Sequence, residues 1–294
     1  MKIPKRREEH DKQSTAGRPQ RLCTVGPDGP YLRGFVNDVR DVAQTLNALG
    51  LVPPSPRFMR ILTDVRATRS NILGGVTWLL PGAAKNDRLI LYYSGHGSQM
   101  LDLTGEEGDR KDETLCPHDY ATAGMIKDDD LRSILGGLPA GVNLDVIFDS
   151  CHAGTATRVL AALEAAPEEQ LVAYCYIEPL LDYGYFLDAN PTAQVTHILR
   201  PESTTTRELV LVPGLRHVLW AACRDYQASA EAPIGGVWRG VFTYCFCRAL
   251  HRAGPGITRR RLDGLVSADV RALGHSQVPQ LEVSGGSVDE SVFT

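Results

Sequence analysis

Leu144-Asp-Val-Ile-Phe-Asp-Ser-Cys151-His-Ala-Gly154 is the stretch whose reading decides the fold of this chain. The apolar run from Val146 to Phe148 has strand character and ends in Asp149, Ser150 and Cys151. A polar residue, a small one and a glycine follow. The chain leaves a hydrophobic layer and presents a thiol at the strand's end. In open α/β sheets, ligands bind beyond the carboxyl ends of the strands, which is where a nucleophile belongs. Arg88-Leu-Ile-Leu-Tyr-Tyr-Ser-Gly-His96-Gly97-Ser98 has the same shape, an apolar strand ending in a histidine between glycines. A cysteine and a histidine at two strand tips are the two halves of a thiol–imidazole pair.

Working outward, apolar periodicity divides most of the chain into alternating strands and helices. Leu22–Val25 reads as a first strand. Val36, Val39, Val42, Ala43, Leu46 and Leu49 share one helical face, with Gly50 placed to end the helix. A strand at 60–63, a helix at 71–80 and the strand 89–93 follow, and then residues 100–125 read as loop. Asp128–Leu135 reads as a short helix opening on three aspartates, a placement that the helix dipole favours. Beyond Cys151 the rhythm breaks, and residues 158–215 read as an insertion or linker. A fifth strand at 218–222, helices at 241–251 and 259–273, and a short strand at 280–283 close the chain. This βαβ spacing predicts an α/β fold: a mostly parallel central sheet flanked by helices on both faces. Residues 1–17 are expected to be a disordered tail and 18–294 a single domain. Within that domain 18–157 carries both strand tips and 216–294 forms a smaller second part.

The bulk properties exclude several functions. A net charge of −4 over 294 residues gives no electrostatic footprint for nucleic acid. No run approaches the ~20 apolar residues of a membrane span, so no membrane partner is expected. The seven cysteines lack zinc or disulfide spacing and fit free thiols in a cytoplasmic or nuclear compartment.

A lone cysteine at a strand end is more often structural than reactive, since cysteine is among the most buried residue types. His96 changes that balance, because an imidazole nearby favours the thiolate. Gly95 and Gly97 let the backbone turn tightly, and their amides are candidate donors to an oxyanion. His152 is the competing base, but neighbours in an extended segment point to opposite faces, which favours His96. Asp149 lies two residues before Cys151 and Ser94 two before His96, so each shares a strand face with its partner. A carboxylate beside the thiol would hold a cationic side chain by charge-assisted hydrogen bonds. The plainer reading has Asp149 and Asp38 capping nearby loops and helices. Asp109, Asp112, Glu113, Asp119, Asp128, Asp129 and Asp130 are hard oxygen donors without an EF-hand pattern, and such a run is most often a solvated face.

Seven pieces, in order, resemble the metacaspases, closest to the type I branch. They are Val36-Asn-Asp-Val39, Tyr92-Tyr-Ser-Gly-His-Gly-Ser98, Asp112-Glu-Thr-Leu-Cys-Pro-His-Asp119, Ile126-Lys-Asp-Asp129, Ile147-Phe-Asp-Ser-Cys-His-Ala-Gly154, Cys223-Arg-Asp-Tyr-Gln-Ala-Ser-Ala230 and Gly240-Val-Phe-Thr-Tyr244. The resemblance implies a caspase-like fold, a monomer, and a cysteine endopeptidase that cleaves protein or peptide substrates after Arg or Lys. It implies Cys151 and His96 as the dyad, with Gly97 at the oxyanion hole. Asp38, Ser94, Asp149 and Asp225 would receive the basic side chain. It implies Ca²⁺ as cofactor, on Asp112, Asp128 and Asp129. Type I members commonly carry a further acidic ligand seven residues after the nucleophile, where this chain has Arg158. The rival expectation is a non-enzymatic caspase-like scaffold or regulatory pseudoenzyme.

Overall fold

A computed structural model describes residues 21–27, 33–101, 111–150, 173–174, 216–224, 227–283 and 288–294. The expected tail 1–17 lies outside these residues, as does the linker 158–215 apart from Ala173–Tyr174. The main sheet has six strands: β1 (Arg21–Gly26), β2 (Met59–Thr63), β3 (Arg88–Ser94), β7 (Asn143–Asp149), β9 (Arg216–Ala221) and β12 (Gln280–Val283). They lie in the order β12-β9-β7-β3-β1-β2. Every pairing is parallel except that of β12 with β9.

Each inner strand is apolar on both faces because helices cover both, as parallel sheets require. On one side α1 (Phe35–Ala48), α5 (Val241–Ala253) and α6 (Arg259–Ala272) pack Val39, Val42, Leu46, Phe242, Phe246 and Leu262 against Leu22, Ile90, Ile147 and Trp220. On the other, α2 (Arg69–Leu79) and α4 (Asp128–Leu135) pack Ile72, Val76, Leu79, Leu131 and Leu135 against Cys23, Val25, Leu91 and Val146. The alternation of Leu22 with Cys23 and of Ile90 with Leu91 is the period-2 pleat dividing one strand between two cores. Local chemistry sets the helix ends. The Thr68 hydroxyl accepts from the Asn71 amide at the start of α2, and Thr258 does the same for Arg261 in α6. Gly50, at φ +68°, ends α1 as the sequence predicts, and Gly274, at +86°, ends α6.

Residues 100–125, expected to be loop, are not uniformly so. β4 (Gly97–Leu101), β5 (Lys111–Leu115) and β6 (Ile126–Lys127) form a second, antiparallel sheet, and α3 (Tyr120–Ala123) precedes β6. The polar strands of this small sheet lack the apolar alternation that marks a half-buried strand. A third sheet joins β8 (Ala173–Tyr174), β10 (Ala230–Ile234) and β11 (Val237–Gly240). Gly235 and Gly236, both at positive φ, make the two-residue turn between β10 and β11. No described helix is long and apolar enough to cross a membrane.

Strand β7 carries a costly buried group midway along its length. Asp145 on β7 is 1% exposed, and burial pushes its carboxyl up to about 7, while Arg259, the Trp220 indole and Arg88 pull it down. Its folded-state pKa lies above the unfolded value. Its contribution is therefore fully present below the unfolded pKa and is lost as pH rises through about 7. Asp145→Asn should flatten this dependence. Urea denaturation from pH 4 to pH 8 should show wild-type stability declining relative to the variant; parallel curves would remove Asp145 as the cause.

Candidate active site

The site begins with strand register. On adjacent parallel strands, Ser94 of β3 pairs with Asp149 of β7, and the Gly95 amide donates to the Asp149 carbonyl at 3.2 Å. His96 and Cys151 each follow this register pair by two residues in the sequence. His96 is 4% exposed, with the Phe35 ring edge-on to it at 5.6 Å between centroids. Its backbone is held on two sides. The Tyr93 hydroxyl donates to the His96 carbonyl at 2.7 Å, and the Cys116 amide donates to the same oxygen at 3.1 Å. Gly95 packs so close to the Tyr93 hydroxyl that a Cβ there would stand 2.7 Å from it. Gly97 opens β4, opposite Leu115. Of the two glycine amides named as oxyanion donors, the Gly95 amide is engaged by Asp149, which leaves the Gly97 amide as the candidate.

Beneath the strand tips lies a carboxylate pair. Asp38, in the first turn of α1, accepts the Ser94 hydroxyl at 2.8 Å on Oδ2 and the Gly240 amide at 2.9 Å on Oδ1. Asp149 accepts the Ser229 hydroxyl at 2.6 Å on Oδ1. On Oδ2 it accepts the Thr243 hydroxyl at 2.6 Å and the Thr243 amide at 3.1 Å. Since the Thr243 hydroxyl donates to Asp149, the Tyr92 hydroxyl, 2.7 Å away, donates to Thr243 in turn. Both aspartates are 1% exposed. Burial raises the Asp38 carboxyl well above the usual carboxylate range, and the charge of Asp149 raises it further, against the Ser94 and Gly240 hydrogen bonds. Burial also raises Asp149, while Ser229 and Thr243 hold it back. Gly240 makes this proximity possible, because a Cβ there would overlap Asp149 Oδ2 and approach Asp38 Oδ2.

Of the residues singled out in the sequence, the structure brings Asp38, Ser94 and Asp149 into one cluster, two residues along the chain from His96 and three from Gly97 in the case of Ser94. Cys151 and Asp225 lie outside the described residues. Ser229, Thr243 and Gly240 belong to the site and were assigned no role. Gly240 and Thr243 stand in one quoted piece, but only contacts across the fold reveal what they hold. Four other thiols are disqualified by burial, which raises Cys116 and pushes Cys23, Cys245 and Cys247 up to about 12.

These features have a counterpart among known proteins. A family model described as metacaspase, peptidase C14 domain, matches residues 22–160. Metacaspase-1 of Pyricularia oryzae is 32% identical over 288 residues, covering 89% of this chain and 70% of its own length. The chain belongs to the metacaspase family. Metacaspase-1 of Mycosarcoma maydis is 31% identical over 86% of this chain and 66% of its own length. The chain therefore spans about two thirds of the length of these curated relatives. A solved protein of Geobacter sulfurreducens superposes over 94% of this metacaspase and 99% of itself, with a TM-score of 0.65 at 22% identity. The α/β caspase-like fold expected from the sequence is the fold of this metacaspase.

Two of the residues assigned to calcium, Asp128 and Asp129, are paired with a cation. Arg132, one turn along α4, donates to Asp129 Oδ1 at 2.5 Å and to Asp128 Oδ2 at 2.9 Å. Asp130 accepts Arg69 at 2.7 Å and the Lys127 amide at 3.1 Å. The side chain of Asp112 lies outside the described residues, among which no three His, Cys, Asp or Glu groups are placed to hold a metal. Calcium takes six to eight oxygens. As arranged, Asp128 and Asp129 hold a guanidinium and do not fit that cage.

Two outcomes follow from this geometry. Gly240→Ala should cost about 1–3 kcal/mol, because a methyl group must displace two hydrogen-bonded carboxylates. Chemical denaturation reads this, and an unchanged midpoint would contradict the packing. Arg132→Ala should free two carboxylates and strengthen calcium binding in isothermal titration. Equal binding by variant and wild type would show that the guanidinium does not compete.

Proposed function

We propose that this metacaspase chain is a cysteine endopeptidase that cleaves after Arg or Lys, with Cys151 as nucleophile and His96 as its base. The observation that carries the reading is the buried pair Asp38–Asp149, set beside the strand tip that bears His96. Like charges buried together are costly, and a cationic side chain entering beside them offsets that cost. An acidic side chain would add a further like charge. The assignment of a thiol nucleophile draws on the family and on the high pKa of four other cysteines, whose protonated thiols are poor nucleophiles.

The reaction follows from these roles. The Cys151 sulfur adds to the peptide carbonyl carbon as His96 takes the thiol proton. Charge develops on the carbonyl oxygen, which the Gly97 amide is proposed to receive. The C–N bond breaks as the imidazolium returns its proton to the leaving amine, leaving a thioester. His96 then takes a proton from water, the hydroxide adds to the thioester, and the acid and free thiol are released. Phe35 against the His96 ring and Tyr93 on its carbonyl restrict the imidazole, which reduces the ordering required at the transition state.

The assay is turnover of matched peptides with Arg, Lys, citrulline or Asp before the scissile bond. Arg and Lys peptides should be cleaved, and Cys151→Ala should abolish cleavage; activity retained in that variant would sink the assignment. The pocket must be ionised to attract a cation, and Asp38 and Asp149 both titrate above the ordinary carboxylate range. The Arg-to-citrulline ratio of kcat/KM should therefore fall as pH drops, beginning above pH ~4. A ratio flat from pH 4 to pH 8 would separate these aspartates from specificity.

A further inference from the structure

Outside the active site, a cavity of about 810 Å³ lies between α1, α5 and the β10–β11 hairpin. Asp38 and Asp149 do not line it. It forms where two helix faces meet beside the hairpin. Asp41, Thr45 and Ala48 recur at helical spacing along α1, and Tyr244, Arg248 and Arg252 do so along α5. Thr45 Oγ1 and His251 Nε2, 3.1 Å apart, join the two helices. The volume falls within the roughly 300–1,000 Å³ of small-molecule sites.

The charge of this cavity opposes that of the chain. The protein carries −4 overall, yet the lining holds three arginines, Arg239, Arg248 and Arg252, against one acid, Asp41. Arg239 donates from Nε to Asp41 at 2.6 Å and from Nη1 to the Ile234 carbonyl at 3.1 Å. The hairpin and α1 thus fix its guanidinium, and Nη2 has no acceptor among the described residues. Arg252 meets Asp269 at 2.8 Å. Arg248 forms no ion pair among the described residues. The helix dipole accounts for His251 and Arg252, bases in the last turn of α5. It does not account for Arg248, one turn earlier, or for Arg239, which comes from a strand. A solvated face is the plainer reading of a lone arginine, but these guanidiniums come from separate elements and line one cavity. The remaining wall is apolar or aromatic. Tyr244 is half-buried, and Val237, on the hairpin, is 37% exposed.

We propose that this cavity binds a phosphorylated organic molecule of nucleotide size. Its phosphates take the Arg248 guanidinium and Arg239 Nη2, and its ring lies against Tyr244 and Val237. The planar fork of a guanidinium matches phosphate oxygens by paired N–H···O bonds, and an aromatic wall suits a flat ring. A bare inorganic anion leaves that wall uncovered, and an uncharged ring leaves the guanidiniums unanswered. Asp41 sets the affinity, because it holds Arg239 and repels the incoming charge. The site stands apart from the peptidase reading and does not depend on it.

The test is isothermal titration of the full chain with ATP, inorganic tripolyphosphate and an acidic peptide, with circular dichroism to establish that each variant is folded. ATP should bind saturably, and tripolyphosphate more weakly, because it has no ring. Arg248→Glu, at an exposed position, should weaken ATP binding by about tenfold or more, the scale of a charged hydrogen bond. Asp41→Asn releases Arg239 and removes a like charge, and should tighten binding by about threefold or more. Arg66→Glu, the same charge reversal just after β2 and outside the cavity, should leave binding unchanged. Should Arg248→Glu not fold, Arg248→Gln removes the charge alone and should also weaken binding. Several results overturn the inference: no saturable binding of ATP, tripolyphosphate binding as tightly as ATP, or equal losses in Arg248→Glu and Arg66→Glu, which mark diffuse charge attraction. Weaker binding in folded Asp41→Asn does so too, since it removes Arg239 as a phosphate ligand. Binding of the acidic peptide without ATP assigns the cavity to a protein partner and likewise overturns it.

Discussion

Asp38 and Asp149 are both nearly inaccessible to water and close enough for the charge of one to raise the pKa of the other. A dry interior tolerates such a pair only where donors are fixed around it. Much of the local architecture supplies those donors. Asp149 draws on Ser229, just ahead of β10, and on Thr243 in the first turn of α5. Asp38 draws on Ser94 at the tip of β3 and on the amide of Gly240 at the end of β11. The pair thus ties the main sheet to α1, α5 and the β10–β11 hairpin, and residue 240 has room for nothing larger than hydrogen.

Under the proposed function, this arrangement would link stability to specificity. Hydrogen bonds to the charged forms lower the aspartate pKa values but do not overcome burial, so the free pocket favours protons or a cation. Under the proposed specificity, the same imbalance that weakens the empty site would strengthen its hold on a basic side chain. Elsewhere the chain balances its acids internally. Asp128 and Asp129 meet Arg132, and Asp130 meets Arg69. These pairs are partly exposed, so each contributes little to stability, roughly 0–1 kcal/mol. Their consequence is local, in that a guanidinium stands between two carboxylates assigned to a metal.

The sheet and its helices were legible because burial on two faces writes continuous apolar runs and helical periods into the sequence. Helix α4 and strand β12 were read at their observed bounds, and the other main-sheet strands to within a few residues. The small sheets were not. Lys111–Leu115 carries Lys, Asp, Glu and Thr, a composition that reads as loop, and it is strand because β4 and β6 pair with it. Ile234-Gly-Gly-Val237 did carry a hairpin signal, since two glycines between apolar residues favour the turn found there. It passed unread because the flanking Ala230–Ile234 includes Pro233 and Glu231, which weaken the look of a strand.

By itself the sequence determined the strand tips, the two-residue offsets of Ser94 from His96 and of Asp149 from Cys151, and the family. These are local facts, set by the pleat and by the order of motifs along the chain. The tertiary structure alone decided which carboxylates stand together and what surrounds them. Asp38 meets Gly240 across 202 positions, Asp149 meets Thr243 across 94, and Asp41 meets Arg239 across 198. No periodicity encodes such contacts, because they arise where separate helices and sheets close over one buried point. The same holds for Arg239 and Arg248: their sequence neighbours mark ordinary surface bases, and only the folded chain, by packing α1 and α5 beside the hairpin, brings them to one cavity.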